Sequence, residues 1–244
     1  MKQIVNTLIS GVAIATLASL IGLCGCSKST ENPTENTDAS TAQSDETKAP
    51  EETTYIFGVI AKSQSNPVFQ AAHTGAMDAA RDIEKSNPGV TIDIRWKTPA
   101  DEDAQMQAQN LAQLVDAGAQ GVTMSCTDAS LLTPAINDAV DKGTEVACFD
   151  SDAPDSKRFA YYGIDDVQAG HEILIQLAKA MDNKGVVAIL AGNQTAPNLQ
   201  ARVKGILEEA KNYPDIDIKY TFYHPETAVD AANKIQQEQQ ANPD

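Results

Sequence analysis

From residue 55 onward the chain alternates short apolar runs with amphipathic helical periodicities, and this alternation restricts the fold more than any other feature. The apolar runs lie at 55–61, 90–96, 121–126, 145–149, 159–164, 185–191 and 216–222. Between most of them, apolar residues recur at three- and four-residue spacing, as on the helical face of Phe69, Ala72, Ala76, Ala80 and Ile83. Near-continuous apolar strands that alternate with helices are typical of parallel sheets buried on both faces. The sequence therefore predicts an α/β fold.

One junction departs from this alternation. The run at 145–149 is followed by the polar stretch 150–157 and then by another strand, with no helical pattern between them. A strand that leaves one sheet and enters another has this pattern. We therefore expect a boundary near Tyr162 and Gly163, with one lobe at 55–163 and a second lobe at 164–244.

Residues 1–25 have the features of an export signal, with one lysine followed by an uncharged apolar stretch. The stretch ends in Leu-Cys-Gly-Cys, which resembles a bacterial lipobox whose cysteine, Cys26, becomes the lipidated first residue. Cys24 fits this pattern less well because the bulky Leu23 would precede it. The alternative is a transmembrane anchor, since 4–23 is just long enough to span a bilayer. The lipobox favours a lipoprotein signal peptide at 1–25.

Residues 26–54 differ in composition from everything after them. Ser, Thr, Glu, Asn, Asp, Gln, Pro and Ala dominate, and no aromatic or large aliphatic side chain occurs. Such a segment cannot bury enough apolar surface to offset its ordering entropy. We expect a disordered acidic tether.

Charge and motif content exclude several functions. The chain has 34 acidic and 18 basic residues, a formal net charge of −16, and no basic patch, so no nucleic-acid partner is expected. His73, His171 and His224 are scattered, and no zinc helix, nucleophile elbow, P-loop or GxGxxG motif occurs. The acids at 150–155 lack the glycine and terminal glutamate of a calcium loop. We expect no enzyme activity, metal or cofactor.

The loops after the predicted strands carry the functional information, because ligands of open parallel sheets lie beyond the carboxyl ends of the strands. These loops occupy 62–67, 125–128, 150–152 and 192–195, and nearly every side chain in them can donate or accept a hydrogen bond. Carboxylates and amides can hold vicinal hydroxyls, and an aromatic ring can pack on a sugar's C–H face. The loops therefore predict a small neutral polyol as ligand.

Three segments resemble the ribose- and glucose-type periplasmic sugar-binding proteins of ABC importers. They are GVIAKSQSNPVF at 58–69, FDSDAPDSKR at 149–158 and NLQARVKG at 198–205, and the match extends from about Tyr55 to the last residue. The resemblance implies a type I periplasmic binding protein, in which two Rossmann-like lobes with parallel sheets close over one sugar. It also implies a lipid-anchored subunit that delivers this sugar to a membrane permease.

The resemblance implies ligand-binding roles for individual residues. Asn66 matches an asparagine that bonds ring hydroxyls, and Phe69 matches an aromatic on the sugar face. Asp150 matches a carboxylate that accepts from two hydroxyls. Arg202 matches a second-lobe arginine, with Asn198 one helical turn before it. The full expected set is Lys62, Asn66, Phe69, Asp150, Asp166, Asn198 and Arg202.

Lys62 agrees with the family pattern, because many relatives have a polar or cationic group at this position. The chain departs from the pattern elsewhere, and Val68 stands where several relatives have a second aromatic. Ser151 replaces an arginine of the ribose binders, and Asp166 replaces a hinge amide, so it only accepts. These departures leave the sugar open and disfavour an anionic ligand.

Structural roles compete with ligand binding at several sites. Asn66, with the proline that follows it, is also explained as a helix N-cap. Asp128 and Asp165 are favoured as helix caps over ligand residues. Asp150 ends a buried strand, where an unpaired carboxylate is costly, which favours a ligand or cation partner. A surface ion pair is the competing explanation for Arg202.

Two cysteines of the body, Cys126 and Cys148, end neighbouring predicted strands. Small buried residues are the favoured interpretation, and a disulfide is the alternative.

Chain length adds an expectation about the second lobe. Leader and tether leave about 190 of 244 residues for the fold, so the second lobe has only two strands after the crossover. We expect a C-terminally truncated chain with an incomplete second lobe, because in the resembling family another strand follows at this point.

Two functions remain compatible with the binding residues: an importer's sugar-binding subunit, and a sensor that reports a sugar or signal molecule to a membrane receptor kinase. A repressor effector domain would need a helix-turn-helix where this chain has an export signal.

Overall fold

The apolar runs form two parallel sheets in the computed structural model, which describes residues 52–242. The expected leader at 1–25, Cys26 and most of the tether lie outside the described residues. The first sheet contains β1 (Thr53–Ile60), β2 (Val90–Trp96), β3 (Gly121–Met124), β4 (Glu145–Phe149) and β5 (Ala160–Tyr162). The second contains β6 (Gly185–Ala191) and β7 (Ile216–Tyr223). The first sheet has the order β2-β1-β3-β4-β5, and every neighbouring pair in both sheets is parallel.

Six α-helices connect or follow these strands. They are α1 (Pro67–Ser86), α2 (Ala104–Asp116), α3 (Ala129–Asp141), α4 (Asp166–Ala180), α5 (Pro197–Glu209) and α6 (Ala228–Ala241) among the residues described, with a 3₁₀ turn at Ala210–Asn212. Asp128 begins α3 by accepting from the amides of Ser130 and Leu131, and Asp165 begins α4 by accepting from Gln168. Both aspartates are helix caps, as predicted from sequence.

The polar stretch at 150–157 leads into β5 without a helix, and β5 pairs with β4 as the edge of the first sheet. The second sheet begins only at Gly185. The expectation that the strand after this stretch enters another sheet is wrong, because β5 pairs with β4 in the first sheet. The lobe boundary near Gly163 stays a prediction.

Separate apolar clusters stabilise the two sheets. The first sheet packs through Ile60, Leu111, Leu114, Val122, Met124, Leu132, Ile136 and Val146, which are all buried. The second packs through Leu174 of α4, Ile189 of β6, and Val203 and Ile206 of α5. These helical positions are the apolar faces seen in the sequence, so burial of the faces explains the packing.

Helices α4 and α5 cross in backbone contact at a pair of glycines. A Cβ atom on Gly170 would lie 2.1 Å from the carbonyl oxygen of Arg202 and 2.9 Å from the Cα of Gly205. A Cβ atom on Gly205 would lie 2.1 Å from the carbonyl oxygen of Val167. Only glycine fits at either position, and this close approach positions the start of α5.

Candidate functional site

Strand order places the loops after β1 and β3 at the centre of the first sheet. In the order β2-β1-β3-β4-β5 the topological switch point lies between β1 and β3, where ligands of such sheets bind. Gln107 of α2, which is fully buried, joins the two loops. Its Nε2 donates to the carbonyl oxygens of Ala61 at 3.0 Å and Ser125 at 2.7 Å, and its Oε1 accepts from the amide of Thr127 at 3.0 Å. This glutamine, which sequence reasoning missed, holds both loops in place.

Asp150 follows β4 in the left-handed backbone region, with φ of 58°. Its Oδ2 accepts from Ser125 Oγ at 2.8 Å, and its Oδ1 accepts from Asn198 Nδ2 at 3.4 Å. Asn198 lies in the first turn of α5, which packs on the second sheet. The contact therefore brings two of the expected ligand residues together from elements of different sheets.

Arg202 and Asp166, also expected ligand residues, contact each other. Arg202 Nε donates to Asp166 Oδ1 at 2.8 Å, and the Asp166 side chain is buried. Burial, together with the nearby carboxylates of Asp150 and Asp165, raises the pKa of Asp166, although the Arg202 guanidinium acts in the opposite direction. Burial and the nearby carboxylates of Asp166 and Asp150 raise the pKa of Tyr161 to about 12. Ligand contact by Arg202 or Asp166 stays a prediction, and the ion pair is the competing explanation already raised for Arg202.

Asn66 and Phe69 lie at the start of α1, close to the end of β1. Asn66 Oδ1 accepts from the amide of Val68 at 3.0 Å, so this side chain caps the helix. Phe69 is 2% exposed, and its ring packs edge-to-face on Phe149 with centroids 6.4 Å apart. The cap leaves the Asn66 amide group free to donate, and ligand contact by either residue stays a prediction.

Lys62 is almost completely buried and pairs with a residue of the second sheet's loops. Its Nζ lies 2.7 Å from Oε1 and 2.8 Å from Oε2 of Glu226, which follows β7. Glu102, in the loop after β2, has Oε1 3.5 Å from the same Nζ. Asn193, after β6, donates from Nδ2 to Glu102 Oε2 at 2.8 Å. We call these four residues the Lys62 cluster.

Sequence reasoning missed both glutamates of the Lys62 cluster. The rule that ligands of parallel sheets lie beyond the carboxyl ends of the strands could have identified them. Glu102 and Glu226 lie beyond the carboxyl ends of β2 and β7, whose following loops were not among those considered. Burial raises the pKa of Glu102 by more than the charge of Lys62 lowers it. Glu102 Oε1 is buried and accepts no hydrogen bond. A cavity of about 420 Å³ adjoins the cluster and is lined by Glu102, Asn193, Gln194, Tyr223, His224 and Pro225.

Cys126 and Cys148 are buried free thiols with their Sγ atoms 3.9 Å apart. This agrees with the favoured interpretation of two small buried residues. Hydrogen bonding to Cys148 and burial raise the pKa of the Cys126 thiol.

The loops of both sheets thus present carboxylates, amides and hydroxyls to the same region. We call Lys62, Glu102, Ser125, Asp150, Asn193, Asn198 and Glu226 the inter-sheet site. Side chains of this kind bind a neutral, hydroxyl-rich solute by paired donors and acceptors. Among residues 52–242, no group of three or more histidine, cysteine and acidic side chains is arranged to hold a metal ion.

Two parallel α/β sheets whose strand-end loops meet over hydrogen-bonding side chains define a two-lobed solute-binding protein. The chain belongs to the periplasmic binding protein domain family, whose sequence model matches residues 57–244. This establishes the type I periplasmic binding protein fold expected from sequence, and membership implies an extracytoplasmic location.

Several characterised proteins are similar to the chain. A xylitol-binding protein of Mycolicibacterium smegmatis is 26% identical over 127 residues, which cover 52% of this chain and 36% of that protein. An ABC transporter solute-binding protein of Burkholderia graminis, solved with D-arabinose, is 26% identical with a TM-score of 0.72, over 81% of this chain and 65% of that one. A glucose-galactose binding protein of Geobacillus stearothermophilus is 27% identical with a TM-score of 0.71, over 79% and 66%.

The family and the similar proteins define the class of protein, but the similar proteins differ in the ligand named for them. The family and the similar structures are binding proteins and not enzymes, in agreement with the expectation from sequence. The chain spans about two thirds of the length of the two solved proteins and about a third of the xylitol-binding protein. Within residues 52–242, no helix has both the length and the apolar character needed to cross a bilayer.

Proposed function

We propose that this chain is the sugar-binding subunit of an ABC importer. It captures a small neutral sugar, an aldohexose or a pentose, between the lobes at 55–163 and 164–244 and delivers it to the membrane permease. Membership of the periplasmic binding protein family supports this proposal, and so do the arabinose, glucose-galactose and xylitol ligands named for its relatives.

The observation that carries the proposal is the meeting of Asp150 and Asn198 from elements of different sheets. Asp150 accepts from one hydroxyl, that of Ser125, and from one amide, that of Asn198. Neither partner is charged, and a carboxylate has about four acceptor positions, so Asp150 can still accept from sugar hydroxyls. A solute that replaces the long 3.4 Å contact would be held by both lobes at once.

The anchor and tether complete the proposal. Cys26 carries the lipid after removal of residues 1–25, and residues 26–54 extend from the membrane because their acidic side chains repel one another. The binding domain then reaches the permease while it remains attached to the membrane.

A ligand screen tests the binding step. The properly folded full-length protein is heated with pentoses, aldohexoses and polyols, including D-arabinose, D-glucose, D-galactose and xylitol. A ligand that binds only the folded state stabilises it by about 2.7 kcal/mol at 100 times its Kd, so the melting temperature should rise. Calorimetry then gives the affinity. A panel with no shift and no heat for any sugar or polyol would refute the proposal.

Transport is tested separately from binding. Cells that contain the protein and its permease should accumulate the radiolabelled ligand, and deletion of the protein should abolish the uptake. A sensor subunit would instead leave uptake unchanged and alter the phosphorylation of a receptor kinase.

A further inference from the structure

The Lys62 ammonium is held by two carboxylates and is otherwise enclosed by protein. Its side chain is 2% exposed, and those of Glu102 and Glu226 are 11% and 15% exposed. Glu226 takes two of its hydrogen bonds, at 2.7 and 2.8 Å, and Glu102 lies 3.5 Å away. Two acidic groups therefore face one cation. Electrostatic interactions are strong here because buried pairs are screened little by solvent or salt.

A lysine at this place would otherwise attract anions. Lys62 lies beyond β1, beside the switch point, where a lone buried ammonium is an anion-binding group. Both Glu226 oxygens accept hydrogen bonds from the ammonium, and their negative charge neutralises it. The neutralised ammonium therefore attracts a ligand carboxylate or phosphate only weakly. An incoming anion would also meet the negative excess of Glu102.

The local geometry still leaves room for a hydroxyl. Glu102 Oε1 is buried and accepts no hydrogen bond, and the cavity of about 420 Å³ reaches Glu102 and Asn193. A buried carboxylate oxygen without a donor is costly, and a neutral hydroxyl supplies such a donor without adding charge.

We propose that Glu226, assisted by Glu102, determines charge selectivity in the inter-sheet site by neutralising Lys62, so that neutral sugars are accepted and anionic sugars are rejected. This inference rests on the proposed sugar-binding function and adds a specific role for two residues. Glu226 acts through Lys62 and is a positioning residue, whereas Glu102 both faces Lys62 and offers its free oxygen to a ligand hydroxyl.

Glu226→Gln tests the inference because it keeps the shape of the side chain and removes its charge. Calorimetry compares D-glucose with D-glucuronate, and D-galactose with D-galacturonate, on wild-type and variant protein. The uronate-to-sugar affinity ratio should rise about 10- to 100-fold in the variant, the range expected for one new charge-assisted hydrogen bond. The double variant Lys62→Met, Glu226→Gln should lose this gain.

Glu238→Gln is the matched control. Glu238 accepts from Lys234 on α6 at the same 2.7 Å, and that pair is more exposed and lies outside the inter-sheet site. The control variant should keep the wild-type ratio. An unchanged ratio in a folded Glu226→Gln protein, or an equal rise in the Glu238→Gln protein, would overturn the inference.

Two further measurements keep the inference testable if Glu226→Gln does not fold or no neutral sugar binds. Lys62→Met leaves the two glutamates without their cation, so the affinity of this variant for D-glucosamine relative to D-glucose should rise. A wild-type ratio would contradict the inference.

Inorganic phosphate should raise the melting temperature of Glu226→Gln more than that of wild type. Failure of all sugars with a positive phosphate result would reject the sugar-binding proposal and retain the role of Glu226.

Discussion

At the scale of single residues, Asp150 combines an unusual backbone with an incompletely satisfied side chain. Its φ of 58° lies in a region that aspartate tolerates better than most residues, because the short polar side chain can bond locally. That conformation turns the carboxylate toward Ser125 and Asn198. The sequence indicated that Asp150 needs a partner, and the structure identifies Ser125 and Asn198 as two of its hydrogen-bond donors.

Asp150→Asn separates charge from shape at this position. Asparagine also tolerates positive φ, so the free energy of unfolding should change by less than about 1 kcal/mol. Sugar affinity should fall about 10- to 100-fold, because an amide offers one acceptor oxygen where the carboxylate offers two. Calorimetry with the sugar found in the screen measures the loss.

Asp128→Asn is the corresponding control, since Asp128 caps α3 and asparagine is an equally good cap. Equal sugar affinities for the Asp150 variant and wild type would remove Asp150 from the site.

At the scale of elements, the crossing of α4 and α5 determines where the second sheet presents its ligand residues. Gly170 and Gly205 let the two backbones touch, and Arg202 and Asn198 lie on the same helix as Gly205. The apolar faces of both helices were evident from sequence. The crossing was not, because a glycine inside a helix has the same local pattern whether or not a second backbone packs against it.

Gly205→Ala should disturb this crossing. The added Cβ would lie 2.1 Å from the carbonyl oxygen of Val167, so the helices must separate at a cost of about 1–3 kcal/mol. Urea unfolding followed by circular dichroism measures the change. Gly75→Ala in α1 is the control, because apart from its chain neighbours and its own helix backbone no atom lies within 4 Å of the added Cβ, and it should be neutral or stabilising by about 1 kcal/mol. Equal effects of the two substitutions would contradict the close crossing.

At the scale of the whole molecule, an excess of acidic side chains opposes folding. The formal net charge is −16, and like charges on the surface repel one another across the compact state. The Lys62–Glu226 pair differs from surface charges because it is buried and joins loops 164 positions apart in sequence. Salt should therefore screen the repulsion between surface charges strongly and the attraction within the buried Lys62–Glu226 pair only weakly.

Raising NaCl from about 0.1 M to about 1 M shortens the Debye length from about 10 Å to about 3 Å. The melting temperature of the wild type should rise by about 2–4 °C as surface repulsion is screened.

A double-mutant cycle with Lys62→Met and Glu226→Gln should give a coupling of about 0.5–3 kcal/mol that hardly changes with salt. The Lys234–Glu238 cycle should weaken. Loss of the Lys62–Glu226 coupling at high salt would show that water reaches this pair.

The sequence by itself determined the strands, the helices, their caps and the polar loops. Apolar periodicity, the aspartates before α3 and α4, and the proline at the start of α1 are local features, and each acts within one or two helical turns or one strand. For the same reason the α/β fold and the predicted importance of the strand-end loops could be inferred without coordinates, whereas the type I binding protein fold was implied by the resemblance of three segments to a known family.

Only the tertiary structure decided which of those polar side chains meet. The pairing of Lys62 with Glu226, the packing of Phe69 on Phe149 and the role of Gln107 depend on how elements distant in the chain are placed together. No local pattern encodes such contacts, because burial and charge pairing arise from the whole packed arrangement. Lys62, to which the resemblance gave a ligand-binding role, therefore forms in the folded protein an ion pair between the loops of the two sheets, and its contact with a ligand stays a prediction.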